Sequence, residues 1–323
     1  MDRILITGGA GFIGSHLAER LLREGKRVAI VDSLDDYYQP ALKQANLATI
    51  KASGRYEFHP IDIRDAGNLR AVFEGFKPQA VVHLAARAGV RPSFVHPDTY
   101  VSVNVAGTQE LLEVSRQSGV ERWVFASSSS VYGQGCIAPF VEAASTTHPL
   151  SVYAATKVSG EALAFTYSQA YGLSVVCLRL FTVFGPRQRP DLAIRKFAGM
   201  ILDGTEVPVF GDGSLERDFT YVDDIIDGMV RAIEPAGSSV HLPPLFDVFN
   251  LGNSHPVRVD YMVETLAQAL GKAARIKYLP TPPGEMLLTH ADLTKAHQVL
   301  GYAPKVSFED GIETFAHWLK SQS

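Results

Sequence analysis

The 323-residue sequence predicts an α/β fold, in which a Rossmann-type doubly wound parallel sheet carries a smaller, interleaved C-terminal α/β substrate lobe. Short apolar runs alternate with helical stretches in the first half, and a glycine-rich turn follows the first run. After residue 180 this alternation gives way to clusters of proline and glycine. We therefore expect a dinucleotide-binding domain over 1–180, which also receives segments from 217–250, and a substrate-binding lobe over 181–323.

The strands of the predicted sheet are short and often β-branched. They are RILIT (3–7), RVAIVD (27–32), YEFHPID (56–62), AVVHLA (80–85), RWVFAS (122–127) and SVVCLRL (174–180). Continuous apolar strands separated by crossover helices indicate a parallel sheet that is covered on both faces. The proline- and glycine-rich clusters are FGPRQRPD (184–191), VFGDGS (209–214), PAGSSVHLPP (235–244) and LPTPPGE (279–285).

Composition excludes several classes of partner. A net charge of −4 argues against a nucleic acid or an anionic membrane surface. The sequence has no apolar run of membrane-spanning length and no basic segment followed by an apolar stretch at its start, so neither a membrane span nor a signal peptide is predicted. The two cysteines, Cys136 and Cys177, indicate a reducing, cytoplasmic compartment and roles in packing. The ten histidines show no metal-ligand spacing.

A glycine-rich turn, TGGAGFIG (7–14), joins the first strand to a helix. Gly8 permits the tight turn, Gly11 lets the backbone amides near Phe12 and Ile13 approach a pyrophosphate, and Gly14 lets the helix lie close to the sheet. Three glycines alone could form an ordinary strand-to-helix turn. Here a second strand follows, which favours a dinucleotide site.

The second strand ends in Asp32, and a later one ends near Asp62 and Ile63. A carboxylate at position 32 can bind both ribose hydroxyls of NAD and would repel the 2′-phosphate of NADP. The sequence therefore predicts NAD as the cofactor. Asp62 and Ile63 would flank the adenine, although an ordinary strand end would look the same.

Tyr153 and Lys157 lie four residues apart in SVYAATK, so that on a helix both side chains share one face. A phenol with a pKa near 10 is a poor base at neutral pH. A nearby ammonium favours the phenolate and brings the group toward a useful pH. The spacing is common by chance and gains weight from the dinucleotide turn upstream.

These motifs together resemble those of the extended short-chain dehydrogenases/reductases that act on nucleotide sugars. The resemblance covers essentially the whole chain. It rests on TGGAGFIG, HLAARAGVR (83–91), SSSSVYG (127–133), YAATK, LRLFTVFGP (178–186), RPDLA (189–193) and RDFTYVDD (217–224), which occur in the family's order.

The resemblance implies a tightly held NAD, a UDP-sugar cleft between the two lobes and commonly a homodimer. The helices expected to form that dimer are 100–118 and 153–171. It also implies that Ala85, Ala86 and Asn104 contact the cofactor.

The four serines distinguish reactions within the family. By resemblance, Ser128 assists the catalytic tyrosine, and the next two positions differ between enzyme classes. Sugar 4,6-dehydratases carry Asp-Glu there, and decarboxylases that make UDP-pentoses carry Glu at the second position. The pair Ser129-Ser130 provides no carboxyl group for either reaction. Ser129 and Ser130 could also serve only in turn hydrogen bonding.

If the substrate is a uronic acid, as the resemblance implies, hydroxyl groups near the reacting sugar could hold its carboxylate. The 4-keto form of a uronic acid is a β-keto acid that readily loses CO₂, and hydroxyls that hold its carboxylate in an unfavourable orientation would suppress that loss. Ser128, Ser129, Ser130 and Thr182 are the candidates, through charge-assisted hydrogen bonds.

Other substrate contacts follow only from the resemblance. Arg217 matches the diphosphate-binding arginine, a role that suits a bidentate guanidinium, and Arg189 could face the uronate. Arg87 stands where relatives often have Gln, and Asp292 could instead cap the following helix. Gly284-Glu285 stands where Gly-Asp is commoner, which weakens the prediction for the uridine end.

The expected reaction is NAD-dependent 4-epimerisation of UDP-glucuronate to UDP-galacturonate through a 4-keto intermediate, without decarboxylation. The alternatives are 4-epimerisation of a UDP-hexose or UDP-N-acetylhexosamine, decarboxylation of UDP-glucuronate, and a redox-sensing NAD-binding regulator without catalytic activity. The intact set of Tyr153, Lys157 and Ser128 argues against the last of these.

Overall fold

The computed structural model describes residues 1–234, 245–281 and 286–322. Its strands are β1 (Arg3–Thr7), β2 (Arg27–Val31), β3 (Tyr56–His59), β4 (Ala80–His83), β5 (Arg122–Ser128), β6 (Val175–Leu180), β7 (Thr182–Phe184), β8 (Glu206–Phe210), β9 (Glu216–Tyr221), β10 (Phe246–Leu251), β11 (Pro256–Arg258) and β12 (Arg275–Leu279). Its helices are α1 (Phe12–Arg23), α2 (Pro40–Ser53), α3 (Ala66–Phe76), α4 (Val90–Val95), α5 (Pro97–Val101), α6 (Gly107–Gln117), α7 (Val152–Tyr171), α8 (Ala193–Asp203), α9 (Val222–Ile233), α10 (Val259–Leu270), α11 (Thr294–Leu300) and α12 (Phe308–Ser321).

A seven-stranded parallel sheet in the order β10-β6-β5-β4-β1-β2-β3 confirms the predicted fold class. Alternate residues of each strand face opposite sides of the sheet. Ile4 and Ile6 therefore join the core under α1 and α9, while Leu5 joins the core under α3, α6 and α7. The sheet is buried on both faces, as its apolar strands require.

The second half of the chain contributes to this sheet and also forms two small ones. Strand β10 pairs with β6, so that a segment within the predicted range 217–250 returns to the large sheet. The small sheets have the orders β11-β9-β7 and β12-β8. The division of the chain at residue 180 remains a prediction.

Two elements differ most from the sequence expectation. The strand predicted over 56–62 ends at His59, because Pro60 has no amide hydrogen to continue the ladder. The helix predicted over 100–118 is interrupted by a π-helical turn, Ser102–Ala106, between α5 and α6. Such turns within helices often occur at functional sites.

Helix α7 carries the predicted catalytic pair and has well-defined ends. The Ser151 side chain accepts a hydrogen bond from the Ala154 amide at its start, and Gly172 adopts the left-handed conformation at its end. None of the helices within residues 1–234, 245–281 and 286–322 is both long and apolar enough to cross a membrane.

Candidate active site

A cleft of about 480 Å³ opens at the carboxyl ends of the parallel strands, where ligands of open α/β sheets bind. The predicted site residues that line it are Gly8, Gly11, Phe12, Ile13, Gly14, Asp32, Asp62, Ile63, Ala85, Ala86, Arg87, Ser128, Ser129, Ser130, Tyr153, Lys157, Thr182 and Arg189. Residues that are far apart in the sequence thus share one cavity.

The glycine turn forms a tightly packed cradle at one end of the cleft. Gly8 has a φ of 70°, and a Cβ there would lie 2.7 Å from the Ala85 amide nitrogen. A Cβ on Gly14 would lie 2.7 Å from the Gly9 Cα. Gly11 is the N-cap residue just before α1 and has no side chain to cap the first turn. The first amides of α1 therefore face the cleft as an anion site, which fits the pyrophosphate of a dinucleotide.

Asp32 is buried at the end of β2, next to this cradle. Its carboxylate accepts hydrogen bonds from the Ala10 amide (3.1 Å) and the Leu34 amide (2.9 Å). The Lys43 ammonium lies 3.9 Å away. Burial raises the pKa of Asp32, and the charge of Lys43 acts in the opposite direction. This arrangement places a carboxylate with a nearby cation where a ribose diol would bind.

Tyr153 and Lys157 project from α7 into the middle of the cleft. The Lys157 ammonium donates to the Ala126 carbonyl oxygen (2.7 Å) and lies 6.0 Å from the centre of the Tyr153 ring. Burial lowers the pKa of Lys157 to about 8. Burial raises the pKa of Tyr153, whereas a hydrogen bond with Ser128 and the charge of Arg189 lower it. In the protein alone, Tyr153 is therefore a neutral phenol.

The serine run ends β5 and turns along the cleft wall. Ser128 is the last strand residue, and its hydroxyl oxygen accepts from the Ser130 amide and lies 3.2 Å from the Ser130 hydroxyl oxygen. Ser128 pairs with Leu180 of β6, so Ser130 and Thr182 each lie two residues beyond one paired position. A hydrogen-bonded turn, which the sequence analysis gave as the alternative role of these serines, is thus present between Ser128 and Ser130. The hydroxyl-bearing residues also line the cleft.

Two arginines stack on Tyr37 at the cleft wall. The guanidinium of Arg87 lies 5.2 Å from the centre of the Tyr37 ring, and that of Arg189 lies 5.6 Å from it. Asp35 pairs with Arg87 (2.8 Å), and Asp191 binds Arg189 through two hydrogen bonds of 2.9 and 2.7 Å. Each arginine is therefore held in place before any ligand binds.

Three predicted site residues lie outside the cleft lining. Asn104 is buried behind it, where its side chain bonds the Arg87 amide (2.7 Å) and carbonyl (2.9 Å) and so fixes that loop. Arg217 donates to the Glu216 carbonyl oxygen (2.8 Å). Asp292 accepts from the Thr294 amide (2.8 Å) in the turn just before α11, whose N-cap residue is Leu293. Their contacts with ligands remain predictions.

Gly284 and Glu285, on which the prediction for the uridine end rested, lie outside the described residues.

Sequence reasoning missed several residues that line the cleft, among them Asp35, Tyr37 and Lys43. They follow Asp32 within one loop and the first turns of α2. Their closeness in sequence to Asp32 was the signal that could have identified them. The Tyr37 hydroxyl donates to the Ala88 carbonyl oxygen (2.7 Å), a contact between loops 51 residues apart that no local pattern predicts.

Comparison with known proteins agrees with this geometry. Residues 5–315 match the family described as GDP-mannose 4,6 dehydratase. A UDP-glucuronate 4-epimerase of Thermodesulfobacterium geofontis is 41% identical over 99% of this chain and 97% of its own length.

Solved structures of similar proteins contain nucleotide sugars, and one of them also contains NAD. The UDP-glucuronic acid 4-epimerase of Bacillus cereus, in complex with UDP-glucuronic acid and NAD, is 35% identical with a TM-score of 0.90 and covers 99% of this chain and 100% of that one. The UDP-glucose 4-epimerase of Thermotoga maritima, with UDP-glucose, is 32% identical with a TM-score of 0.87 and covers 99% of each chain.

Proposed function

Because the chain belongs to the GDP-mannose 4,6-dehydratase family of extended short-chain dehydrogenases/reductases, we propose that it is an NAD-dependent UDP-glucuronate 4-epimerase. It converts UDP-glucuronate to UDP-galacturonate through a transient 4-keto sugar. The family is described by its dehydratases, but Ser129 and Ser130 replace the acidic pair that a dehydratase uses. Epimerisation is the chemistry that the remaining groups support.

One observation carries the proposal. Ser128, Ser129, Ser130 and Thr182 line the same cleft as Tyr153 and Lys157, at the paired ends of β5 and β6. Hydroxyl donors beside a catalytic phenol suit a carboxylate on the sugar, because a hydrogen bond to a charged group is among the stronger ones in proteins. The full-length similarity to UDP-glucuronate 4-epimerases supports this assignment.

The glycine cradle, Asp32 and Lys43 hold NAD at the other end of the cleft. The first amides of α1 bind its pyrophosphate, and Asp32 binds the adenosine ribose hydroxyls. When bound, NAD supplies reversible hydride transfer at C4 of the sugar. Hydride removed from C4 would return to C4 in the same cycle, so the reaction would need no external oxidant or reductant.

Tyr153 is the acid and base of the cycle. It takes the proton of the C4 hydroxyl as the ketone forms and returns a proton when the ketone is reduced on the opposite face. The ammonium of Lys157 stabilises the phenolate, and Ser128 donates a hydrogen bond to it. Between the two hydride transfers the 4-keto sugar turns over within the cleft.

The carboxylate of the 4-keto intermediate must be held against loss of CO₂. Decarboxylation requires the bond from C5 to the carboxylate to align with the π system of the ketone. Hydrogen bonds from Ser129, Ser130 and Thr182 hold the carboxylate out of that alignment, and Arg189 balances its charge. No carboxyl side chain stands at position 129 or 130 to act at C5.

The product formed from each of three UDP-sugars tests the proposal. The purified protein, without added reductant, is incubated separately with UDP-glucuronate, UDP-glucose and UDP-N-acetylglucosamine, and the products are separated by anion exchange and identified by NMR. We expect UDP-galacturonate and much slower turnover of the neutral sugars. Faster turnover of a neutral sugar would favour a hexose epimerase, and a UDP-pentose as the main product would indicate a decarboxylase.

A homodimer formed by the helical segments 100–118 and 153–171 completes the proposal. Val101 and Phe165 are about half exposed on these segments, although both are apolar. Light scattering after size exclusion should report twice the mass of the chain, and Phe165→Glu should shift it to the monomer mass. We place the enzyme in the cytoplasm, since Cys136 and Cys177 are both free thiols.

A further inference from the structure

Helix α7 holds the end of β5 with two charged side chains, one helical turn apart. Lys157 donates to the Ala126 carbonyl oxygen (2.7 Å), and Glu161 accepts from the Ser127 hydroxyl (2.6 Å). Ala126 and Ser127 are the two residues directly before Ser128 in the strand. The first serine of the run is therefore explained by Glu161, a residue outside the catalytic set assigned above.

Glu161 is also paired with a buried arginine. Arg179 of β6 donates from Nε to its Oε1 (3.0 Å) and from Nη2 to its Oε2 (2.8 Å). Arg179 is 4% exposed and Glu161 8% exposed, and Arg179 stands opposite Ser127 in the sheet register. Burying such a pair often adds little net stability compared with apolar residues of similar size. Stability alone therefore does not explain its place beside the catalytic lysine.

Glu161 also affects the ionisation of Lys157, because the other titratable groups around that lysine are neutral. Lys157 faces Tyr153 and Glu161 on α7, His83 on β4 and Cys177 on β6. Burial lowers the pKa of His83 to about 3 and raises the pKa of Cys177, so both are neutral near pH 7. Burial also lowers the pKa of Lys157, and Glu161 opposes that effect.

We propose that Glu161 is a positioning residue for the epimerisation, which keeps the Lys157 ammonium charged beside Tyr153 and fixes Ser127 so that Ser128 lies against the phenol. The inference rests on the proposed function for its catalytic consequence. Its electrostatic part concerns Lys157 alone and can be measured without substrate. Arg179 acts as the counter-ion that keeps the Glu161 carboxylate in place.

Three variants separate charge from packing. Glu161→Gln keeps an oxygen for Ser127 but removes the charge and leaves Arg179 uncompensated. The double variant Glu161→Gln/Arg179→Met removes both charges. Ser127→Ala removes the strand contact and no charge. These variants are compared with the wild type in the pH profile of kcat/KM for UDP-glucuronate.

The alkaline limb of each profile is the pH range in which kcat/KM falls as the pH rises. Its position should differ among the variants according to the charges they remove. The limb of Glu161→Gln should lie about one pH unit below that of the wild type, because the substitution removes a nearby negative charge and leaves the charge of Arg179 uncompensated. The double variant should lie between them, and Ser127→Ala should keep the wild-type limb while losing activity. A common limb for all four proteins, or an equal shift in Ser127→Ala, would overturn the proposal.

Titration of Lys157 by NMR separates this inference from the proposed function. Protein labelled with ¹³C at the lysine Cε is titrated without UDP-sugar, and the Lys157 signal is assigned by its loss in Lys157→Met. The same order of titration midpoints is expected, and equal midpoints would refute the inference whatever the substrate. If Glu161→Gln does not fold, the double variant Glu161→Gln/Arg179→Met replaces it. A Lys157 midpoint in that variant equal to the wild-type midpoint would likewise refute the inference. A shifted midpoint in a protein that fails to epimerise UDP-glucuronate would refute only the proposed function.

Discussion

The two ends of the cleft are built from different parts of the chain. The cofactor end is formed mainly by backbone, within residues 7–14, and by one carboxylate at the end of the next strand. The catalytic end is formed by side chains of β5, α7 and the segment after β6. Steric limits on the backbone therefore define the first end, whereas hydroxyls and charges define the second. Substitutions at the two ends should fail in different ways.

The largest effect is expected at the catalytic end. Tyr153→Phe removes only the titrating oxygen, so the protein should fold and retain NAD while losing most of its activity. General acid–base groups typically contribute about 10²- to 10⁴-fold. Circular dichroism, NAD content and turnover of UDP-glucuronate measure the three properties. Wild-type turnover in this variant would remove Tyr153 from the mechanism.

Loss of a single hydroxyl should lower kcat/KM for the charged substrate much more than for neutral ones. Thr182→Val keeps the side-chain shape and removes the donor to the uronate, so kcat/KM for UDP-glucuronate should fall about 10- to 150-fold, equivalent to about 1.5–3 kcal/mol. Ser129→Ala should act in the same direction, and turnover of UDP-glucose should change little in either variant. A UDP-4-keto-pentose should appear as a side product, because the carboxylate is no longer held.

Product analysis of both variants with the two substrates in parallel provides the control. Equal losses on UDP-glucuronate and UDP-glucose, without a pentose product, would mean that these hydroxyls only support the strand end.

A substitution at the cofactor end should reduce NAD binding by displacing the backbone. In Gly14→Ala the new Cβ would lie 2.7 Å from the Gly9 Cα, so α1 must move away from the turn. Overpacking of this kind costs about 1–3 kcal/mol, and the retained NAD should fall accordingly. Gly75→Ala is the matched control, since a Cβ there meets no atom within 4 Å. Equal NAD content in the two variants would contradict the account of the cradle.

The smallest effect concerns pH. Burial lowers the pKa of Lys157 to about 8, and catalysis uses its ammonium, so kcat/KM should fall as the pH rises through that value. The contribution of Lys157 to the free energy of unfolding has the opposite pH dependence. The unfolded chain binds its proton up to about pH 10.4, so the free energy of unfolding should rise between about pH 8 and 10.4. In Lys157→Met that rise should be missing from denaturant titrations.

The same contrast explains what the sequence could predict. The glycine turn and Asp32 lie on one strand–turn–helix–strand unit, whose local pattern implies its geometry. The resemblance to nucleotide-sugar enzymes directed attention to Ser128 and Thr182, but their alignment depends on the pairing of β5 with β6. Glu161 gave no signal of its own in the sequence. Its role depends on a buried contact with Arg179, 18 residues further along the chain.

The most direct test of the central claim is a redox balance made during turnover of UDP-glucuronate. The purified enzyme, with its bound NAD and no added cofactor, should form UDP-galacturonate over many turnovers, while the absorbance of NADH stays below one equivalent per active site and no CO₂ is released. Growth of NADH or of a UDP-pentose in proportion to the substrate consumed would contradict redox-neutral epimerisation at C4.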